Sequence, residues 1–209
     1  MTLTHLDPVL PFEQMTPPEE EHAMRRVTRQ VAFDGKWDAE RAQKVADLFT
    51  SMSHDWTESH QGHGRYDGLA DALDRGDVGT GRVVELGSGT GLGTRLLAQR
   101  FDHVTALDLS PGMLRNAPAE LGSRVQGDSA TLPIRNDAVD ILVLVNMLLF
   151  PAEVDRVLAG AGRVVWFNTS GERTPIHLTA EEVLTALPGD WSGRASRAGT
   201  GTWLVAHRT

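Results

Sequence analysis

The sequence predicts an α/β fold built on a mostly parallel sheet, and three observations carry that prediction. Residues 83–94, VVELGSGTGLGT, run apolar positions into a glycine-rich turn and then into a helical apolar pattern. Strand-like and helix-like stretches alternate from about Gly81 to Ser170, as parallel strands joined by crossover helices require. The tail, DWSGRASRAGTGTWLVAHRT, reads as two strands joined by a turn around Gly199 to Gly201, an antiparallel hairpin that finishes the sheet.

Residues 1 to about 35 are rich in Pro and Glu and read as a partly ordered arm, within which Glu19 to Val31 has the makings of a short helix. Asp38 is a favoured N-cap residue, and Ala42, Val45, Ala46 and Phe49 recur behind it at helical spacing, with Leu48 beside them. Phe49 is expected in the core. SMSHDWTESHQGHGRYDG then breaks the periodicity and gathers three histidines, a tryptophan and the chain's single tyrosine. Leu69, Ala70 and Leu73 suggest a further helix ended by Gly76. Residues 1–79 are therefore read as an arm and helical lid, and 80–209 as the core.

The core opens with a buried strand that ends in Glu85 and a loop with Gly87, Ser88, Gly89 and Gly91. Glycine can take positive φ and lets a ligand lie against the backbone. The helix behind the loop offers unpaired N–H groups. HVTALDLSPGML reads as a second strand ending in Asp108, then a helix capped by Ser110 with Pro111 at its first position. An acid at that strand end suits paired hydrogen bonds to two ribose hydroxyls. The segment Arg124 to Asn146 supplies the third and fourth strands. A helix from roughly Ala152 to Ala159 precedes the fifth strand, Arg163 to Ser170. Thr179 with Glu182 forms a capping box for a helix running to about Leu187.

Glycine spacing chooses among ligands. A dinucleotide fingerprint needs G-x-G-x-x-G, but position 92 is Leu and position 94 is Thr. A phosphate-cradling P-loop needs Gly-Lys-Ser/Thr, and no lysine is near. The pattern E-x-G-x-G-x-G instead resembles the first motif of class I S-adenosylmethionine-dependent methyltransferases. That resemblance implies a Rossmann-like, mostly parallel seven-stranded sheet with a C-terminal antiparallel hairpin, an N-terminal helical lid, and S-adenosyl-L-methionine as cofactor. It implies that Glu85, Gly87, Ser88, Gly89 and Gly91 hold the aminoacyl part of the cofactor and the ribose edge. Asp108 would take the ribose hydroxyls, with Leu109 and Met113 near the adenine. Asp128 and Ser129 match the pair that contacts the adenine amino group. Asn146 and Met147 would border the methionine end.

The segment Leu48 to His60 resembles the stretch before the core in ubiquinone/menaquinone-type methyltransferases, which places an aromatic residue over the cofactor. Trp56 takes that place here, and Thr57 replaces the following acid, a departure from the quinone pattern. A general base helps where the acceptor is a hydroxyl or an acidic carbon. His54, His177 and His60, in that order, are the candidate bases; each reads equally as a solvated loop histidine. Arg173, on the loop after the fifth strand, is a candidate for an acidic substrate group or a plain surface residue. His60 and His63 form H-x-x-H with His54 close by, but no further ligands converge, and no metal site is expected. Asn146-Met147-Leu148-Leu149 lacks the proline and aromatic of enzymes that methylate planar nitrogens, which argues against nucleobase acceptors.

Composition sets outer bounds. The chain has 209 residues and a formal net charge of −8, so the broad basic field of a nucleic-acid binder is absent. There is no cysteine, hence no disulfide and no thiolate chemistry. The first residues lack the basic start and apolar core of a signal peptide, and the longest apolar stretch, Ile141 to Phe150, is too short to span a bilayer. A cytoplasmic enzyme transferring methyl to oxygen or carbon of a small organic acceptor is the expectation. Its rivals are a non-methylating reaction on the same cofactor, such as a cyclisation, and a catalytically silent cofactor-binding partner. No residue pattern specifies an oligomeric state.

Overall fold

The structure, a computed structural model, describes residues 1–12, 22–62 and 64–209. In chain order the elements are β1 (Thr2–His5), α1 (Ala23–Asp34), α2 (Ala39–Met52), α3 (Trp56–His60), α4 (Asp67–Arg75), β2 (Val83–Leu86), α5 (Leu92–Leu97), β3 (Val104–Asp108), α6 (Pro111–Asn116), β4 (Ser123–Gln126), β5 (Val139–Val145), α7 (Pro151–Val157), β6 (Leu158–Asn168), α8 (Ala180–Ala186), β7 (Trp191–Ala198) and β8 (Gly201–Arg208). Glu19 to Glu21, part of the expected first helix, lie outside the described residues.

The strands form one sheet in the order β1-β7-β8-β6-β5-β2-β3-β4. β2 pairs in parallel with both β3 and β5, and β8 pairs antiparallel with β6 and β7. The chain runs outward from β2 through β3 to β4, then returns to the other side of β2 as β5. The resulting switch point lies between β2 and β5, where ligands of open α/β sheets bind at the carboxyl ends.

Seven of these strands match the expectation, and the eighth corrects it. Thr2–His5 was expected in a loose arm but pairs in parallel with β7, Thr2 opposite Ser192 and His5 opposite Ala195. The physical reason is the free edge of β7: an outer strand presents a row of unpaired N–H and C=O groups, and a short Thr-rich segment caps it. α7 ends at Val157 and β6 starts at Leu158, so the fifth strand begins earlier than expected. The capping box at α8 is as read: Thr179 Oγ1 accepts from the Glu182 N–H, and the Glu182 carboxylate accepts from the Thr179 N–H at 2.8 Å.

Apolar side chains cover both faces. Leu142, Leu144, Val164, Trp166 and Leu204 pack under α7 and α8. Ile141, Val143, Val165, Phe167 and Val205 pack under α4 and α5. α4 is fixed by more than burial. Asp71 is 3 % exposed, yet its carboxylate takes two bonds of 2.7 Å from Arg75 and one of 2.8 Å from the indole N–H of Trp203 on β8. Burial alone would push its pKa up; these donors outweigh burial and hold it below the ordinary carboxylate range.

The other N-terminal helices lie over the carboxyl ends of the strands. α1 sets Val31 on Leu148 and Phe150, the residues that follow β5. The C-terminal turn of α2 abuts α6: Thr50 Oγ1 and Ser110 Oγ share a 2.8 Å hydrogen bond, and a side chain at Gly112 would strike Thr50. One expectation for α2 shifts accordingly. Leu48 is exposed, and Phe49 is half-buried against Trp56 rather than in the sheet core, with ring centroids 5.5 Å apart.

Candidate functional site

The glycine loop is tied to its neighbour before any ligand is considered. The N–H groups of Gly87 and Ser88 donate to Leu107 O on β3, at 2.8 and 3.1 Å. The glycines then divide by role. Gly87 holds a φ of +68°, which favours glycine, with the flexible end of Met147 against its Cβ position; a Cβ at Gly93 would collide with the buried Glu85 carboxylate. Gly89 differs. Its φ is +58°, and an added Cβ would meet nothing nearer than Trp56 Nε1 at 3.7 Å. The backbone there faces open space with an aromatic across it.

Asp108, at the end of β3, borders that space. It is 8 % exposed. Its carboxylate accepts the Gly89 N–H at 2.8 Å and the Ser110 N–H at 2.7 Å. Burial raises its pKa, and the bonds from Ser110, Gly89 and Leu109 oppose the rise. A carboxylate has about four lone-pair sites, so capacity remains for a ligand. Met113 is buried beside the loop, its Sδ 4.0 Å from the Cβ position of Gly89, and Leu109 is half-buried. Ser88 Oγ is sealed from solvent and has no partner among the described residues. A buried hydroxyl without a partner invites one.

α3 lies across the loop. Thr57 Oγ1 donates to Thr90 Oγ1 at 2.7 Å, so the residue that departs from the quinone pattern fastens the cover to the loop. Trp56 stacks on His60 with centroids 3.8 Å apart and planes 12° apart. α3 has five residues and no side-chain cap at its start, so it owes its order to these contacts. Amide exchange from Ser53 to Tyr66 is expected to slow at least severalfold when S-adenosylhomocysteine is added, as for covers drawn from low-stability segments. Exchange that is the same with and without the ligand would remove α3 from the lid.

Several candidate residues stand elsewhere than the sequence reading put them. The His54 side chain is 93 % exposed, 3.8 Å from Asp55, and is not brought to the crevice, because the turn after α2 points it at solvent. His60 is present, but Nδ1 is engaged with Trp56 O at 2.9 Å; burial lowers its pKa, against the bond to that carbonyl, so it is neutral near pH 7. His177 is buried at 5 % exposure, its pKa lowered by burial and by Arg25. It lines a cavity of about 500 Å³ bounded by Leu6, Phe12, Trp166, Glu181 and Leu204. Arg173 is exposed. Asn146, at φ +47°, spends its amide on β6: Nδ2 donates to Thr169 Oγ1 at 2.8 Å, and Oδ1 accepts the Thr169 N–H at 2.9 Å. It joins the tips of β5 and β6. Glu85 lies beneath the loop, 1 % exposed, accepting a hydrogen bond from Thr94 Oγ1 on α5. Ser129 is buried. His63 lies outside the described residues, and among the described residues no group of three or more His, Cys, Asp or Glu could hold a metal ion.

Two further residues gave no signal in the sequence. Trp37, between α1 and α2, donates its indole N–H to both oxygens of Asp128, at 2.9 and 3.2 Å, and meets Phe150 edge-on. Tyr66 packs against Phe167 with centroids 6.3 Å apart; burial and nearby Glu85 push its hydroxyl pKa up. Both act through contacts distant in sequence, which no local pattern encodes.

A crossover sheet with a glycine loop and an acid at the end of the next strand defines a cofactor-binding α/β domain. Comparison with known proteins makes the class specific. A family model described as "Methyltransferase domain" matches residues 84–166. The chain is similar to malonyl-[acyl-carrier protein] O-methyltransferase of Geobacter sulfurreducens, 32 % identical over 91 residues, which are 40 % of this chain and 34 % of that protein. It is also similar to the biotin biosynthesis bifunctional protein BioHC of Cellvibrio japonicus, 31 % identical over 106 residues, 46 % of this chain and 21 % of that protein. The chain thus spans about a third and a fifth of the curated relatives it matches. Among solved structures, the DhpI–SAH complex superposes with a TM-score of 0.62 at 22 % identity, covering 80 % of this chain and 96 % of that one. PH0226 of Pyrococcus horikoshii gives 0.56 at 16 % identity, covering 69 % and 89 %. Residues 84–166 thus resemble a methyltransferase domain, and the strands around them belong to the α/β fold shared with these solved structures. No helix among the described residues is long and apolar enough to cross a membrane.

Proposed function

We propose that the protein binds S-adenosylmethionine in the crevice under α3 and transfers its methyl group to an oxygen of a small organic acceptor. The observation that carries this reading is the Asp108 carboxylate, held by Gly89 and Ser110 beside the open face of Gly89, with Trp56 across it. The orphaned Ser88 hydroxyl and the space at Gly89 fit the cofactor. When bound, the cofactor supplies a methyl group already activated on a sulfonium.

The chain's own work is binding and alignment. Asp108 accepts from ribose hydroxyls. Asp128 accepts from the adenine amino group, sharing its carboxylate with Trp37 or exchanging one donor for the other. Trp56 and His60 keep water from the reacting end. Orientation of this kind supplies about 7–11 kcal/mol of a displacement barrier. Oxygen is favoured as acceptor atom by the malonyl-[acyl-carrier protein] O-methyltransferase similarity and by the absence of the planar-nitrogen motif after β5. His54 is in solvent and both other candidate histidines are desolvated, so the arrangement suits an acceptor that needs no base.

Calorimetry is expected to show micromolar binding of S-adenosylmethionine and S-adenosylhomocysteine, about −8 kcal/mol. Absence of heat and of a thermal shift with either would overturn the cofactor assignment. Methyl-labelled cofactor should then deliver label to an O-methyl product; an unlabelled, rearranged product would identify a non-methylating enzyme. Alanine at His54, His60 or His177 should leave turnover within about tenfold, whereas loss of a true general base costs about 10²-fold or more.

A further inference from the structure

The turn between α3 and α4 holds a cation without a counter-charge among the described residues. Arg65 is half-buried, and its Nε is sealed from solvent with no acceptor. Among the described residues it is the one partly buried arginine whose side chain makes neither a hydrogen bond nor an ion pair. Arg29, Arg75, Arg156 and Arg208 each hold a carboxylate. Arg41 and Arg163 donate to backbone carbonyls, and Arg25, whose Nε is likewise sealed without a partner, donates through Nη2 to Glu172 O. The neighbouring acid, Asp67, is exposed and forms no ion pair with it. Glu85, which lies near Tyr66, is pushed up to about 8 by burial and carries little charge at neutral pH. A sealed guanidinium donor without an acceptor marks bonding that a ligand completes.

Its position says which ligand. The carbonyl of Gly64 rests against Gly199 in the β7–β8 turn, and Tyr66 lies on Phe167 near the end of β6. The charge of Arg65 is felt by both His60 and Tyr66. Arg65 is thus carried on the turn between α3, which bears the Trp56–His60 stack over the glycine loop, and Tyr66, which lies on Phe167 near the tip of β6. That is beside the reacting end of the crevice and away from the Asp128 end.

We propose that Arg65 anchors a carboxylate of the methyl acceptor, which is a small organic acid. This rests on the reading under Proposed function. A guanidinium presents paired N–H groups that match a carboxylate in two parallel bonds. It also restores charge balance in a crevice whose other acids, Asp108 and Asp128, are turned to the nucleoside side.

The test is calorimetry on the intact protein saturated with S-adenosylhomocysteine, titrated with malonate, glutarate, benzoate and their neutral amides. At least one acid is expected to bind the wild type, with its amide at least 10-fold weaker. Arg65→Gln should weaken that acid about 10- to 100-fold, the range for a hydrogen bond to a charged group. It should leave the amide unchanged and S-adenosylhomocysteine within twofold. Arg65→Lys should recover part of the loss, and matched melting curves show that each variant is folded. Failure of every acid to bind the wild type more tightly than Arg65→Gln overturns the proposal. So does a loss of more than 10-fold in S-adenosylhomocysteine affinity while 5′-methylthioadenosine, which lacks the amino-acid end, binds as before. In that case the cation serves the cofactor's own carboxylate. If the wild type binds neither nucleoside, the cofactor reading has failed instead, and the same acids titrated into the protein alone still decide the role of Arg65.

Discussion

Asp108→Ala is expected to lower the affinity for S-adenosylhomocysteine by at least about 100-fold while the protein stays folded. The carboxylate would contribute two charge-assisted hydrogen bonds to the ribose, each worth roughly 1.5–3 kcal/mol. It also braces the glycine loop through Gly89 N and the start of α6 through Ser110 N. Asp108→Asn, which keeps one acceptor oxygen, should fall between. Gly89→Val reports on the same pocket from the other side. The unliganded protein has room for a Cβ there, in van der Waals contact with Trp56 Nε1 at 3.7 Å. The positive φ costs about 1–2 kcal/mol for a residue with a Cβ. That strain is read from the melting curve, and a loss of ligand affinity in the folded variant is the expected effect of a side chain entering the ligand's space. Unchanged affinity in Asp108→Ala and Gly89→Val together would move the nucleoside elsewhere.

Glu85 should dominate the pH dependence of stability near neutrality. Burial pushes its pKa from 4.5 up to about 8; Asp108 adds to the rise and the bond from Thr94 opposes it. Below about pH 4.5 Glu85 is protonated in both folded and unfolded chains. Between 4.5 and 8 the unfolded chain ionises it and the folded chain does not, so stability falls as pH rises across that window. The slope is at most about 1.4 kcal/mol per pH unit. The whole effect is of the order of a few kcal/mol. Glu85→Gln keeps the volume and an acceptor for Thr94 but has nothing to ionise. It should be more stable than the wild type at pH 8 and nearly equal to it at pH 5, by urea unfolding. Asp71, Asp140 and Glu153, held below their ordinary range, act at lower pH in both proteins and cancel in the difference. Parallel stability curves for the two proteins from pH 5 to 8 would show that Glu85 ionises freely in the fold.

The sheet and its cofactor edge were legible because both are local. The strand, loop and helix at 83–94, the cap at Ser110 and the Thr179–Glu182 box are each written within a dozen residues. The division among the glycines was not legible. Gly93 is required by the buried Glu85 carboxylate, a contact set by tertiary packing, and Gly87 is favoured by its φ. Trp56 over the loop followed from resemblance, but the fate of the histidines did not. A loop histidine's exposure depends on the turn that carries it, so His54 points to solvent while His60 is pinned on Trp56. Trp37 and Arg65 were invisible for the same reason. One is defined by a partner far along the chain, the other by the lack of one.

The pairing of Thr2–His5 with β7 joins residues about 190 positions apart. Pairing across so long a separation is costly until the intervening chain has folded, so this rung of the sheet is expected to form late. Until it forms, β7 is an open edge that a second chain can extend, and folding at high concentration competes with that encounter. Anything fused ahead of Thr2 that slows the closure prolongs the exposure. Removing these four residues, which lie far from the crevice, is therefore expected to lower the yield of refolded protein at high concentration while leaving ligand affinity unchanged.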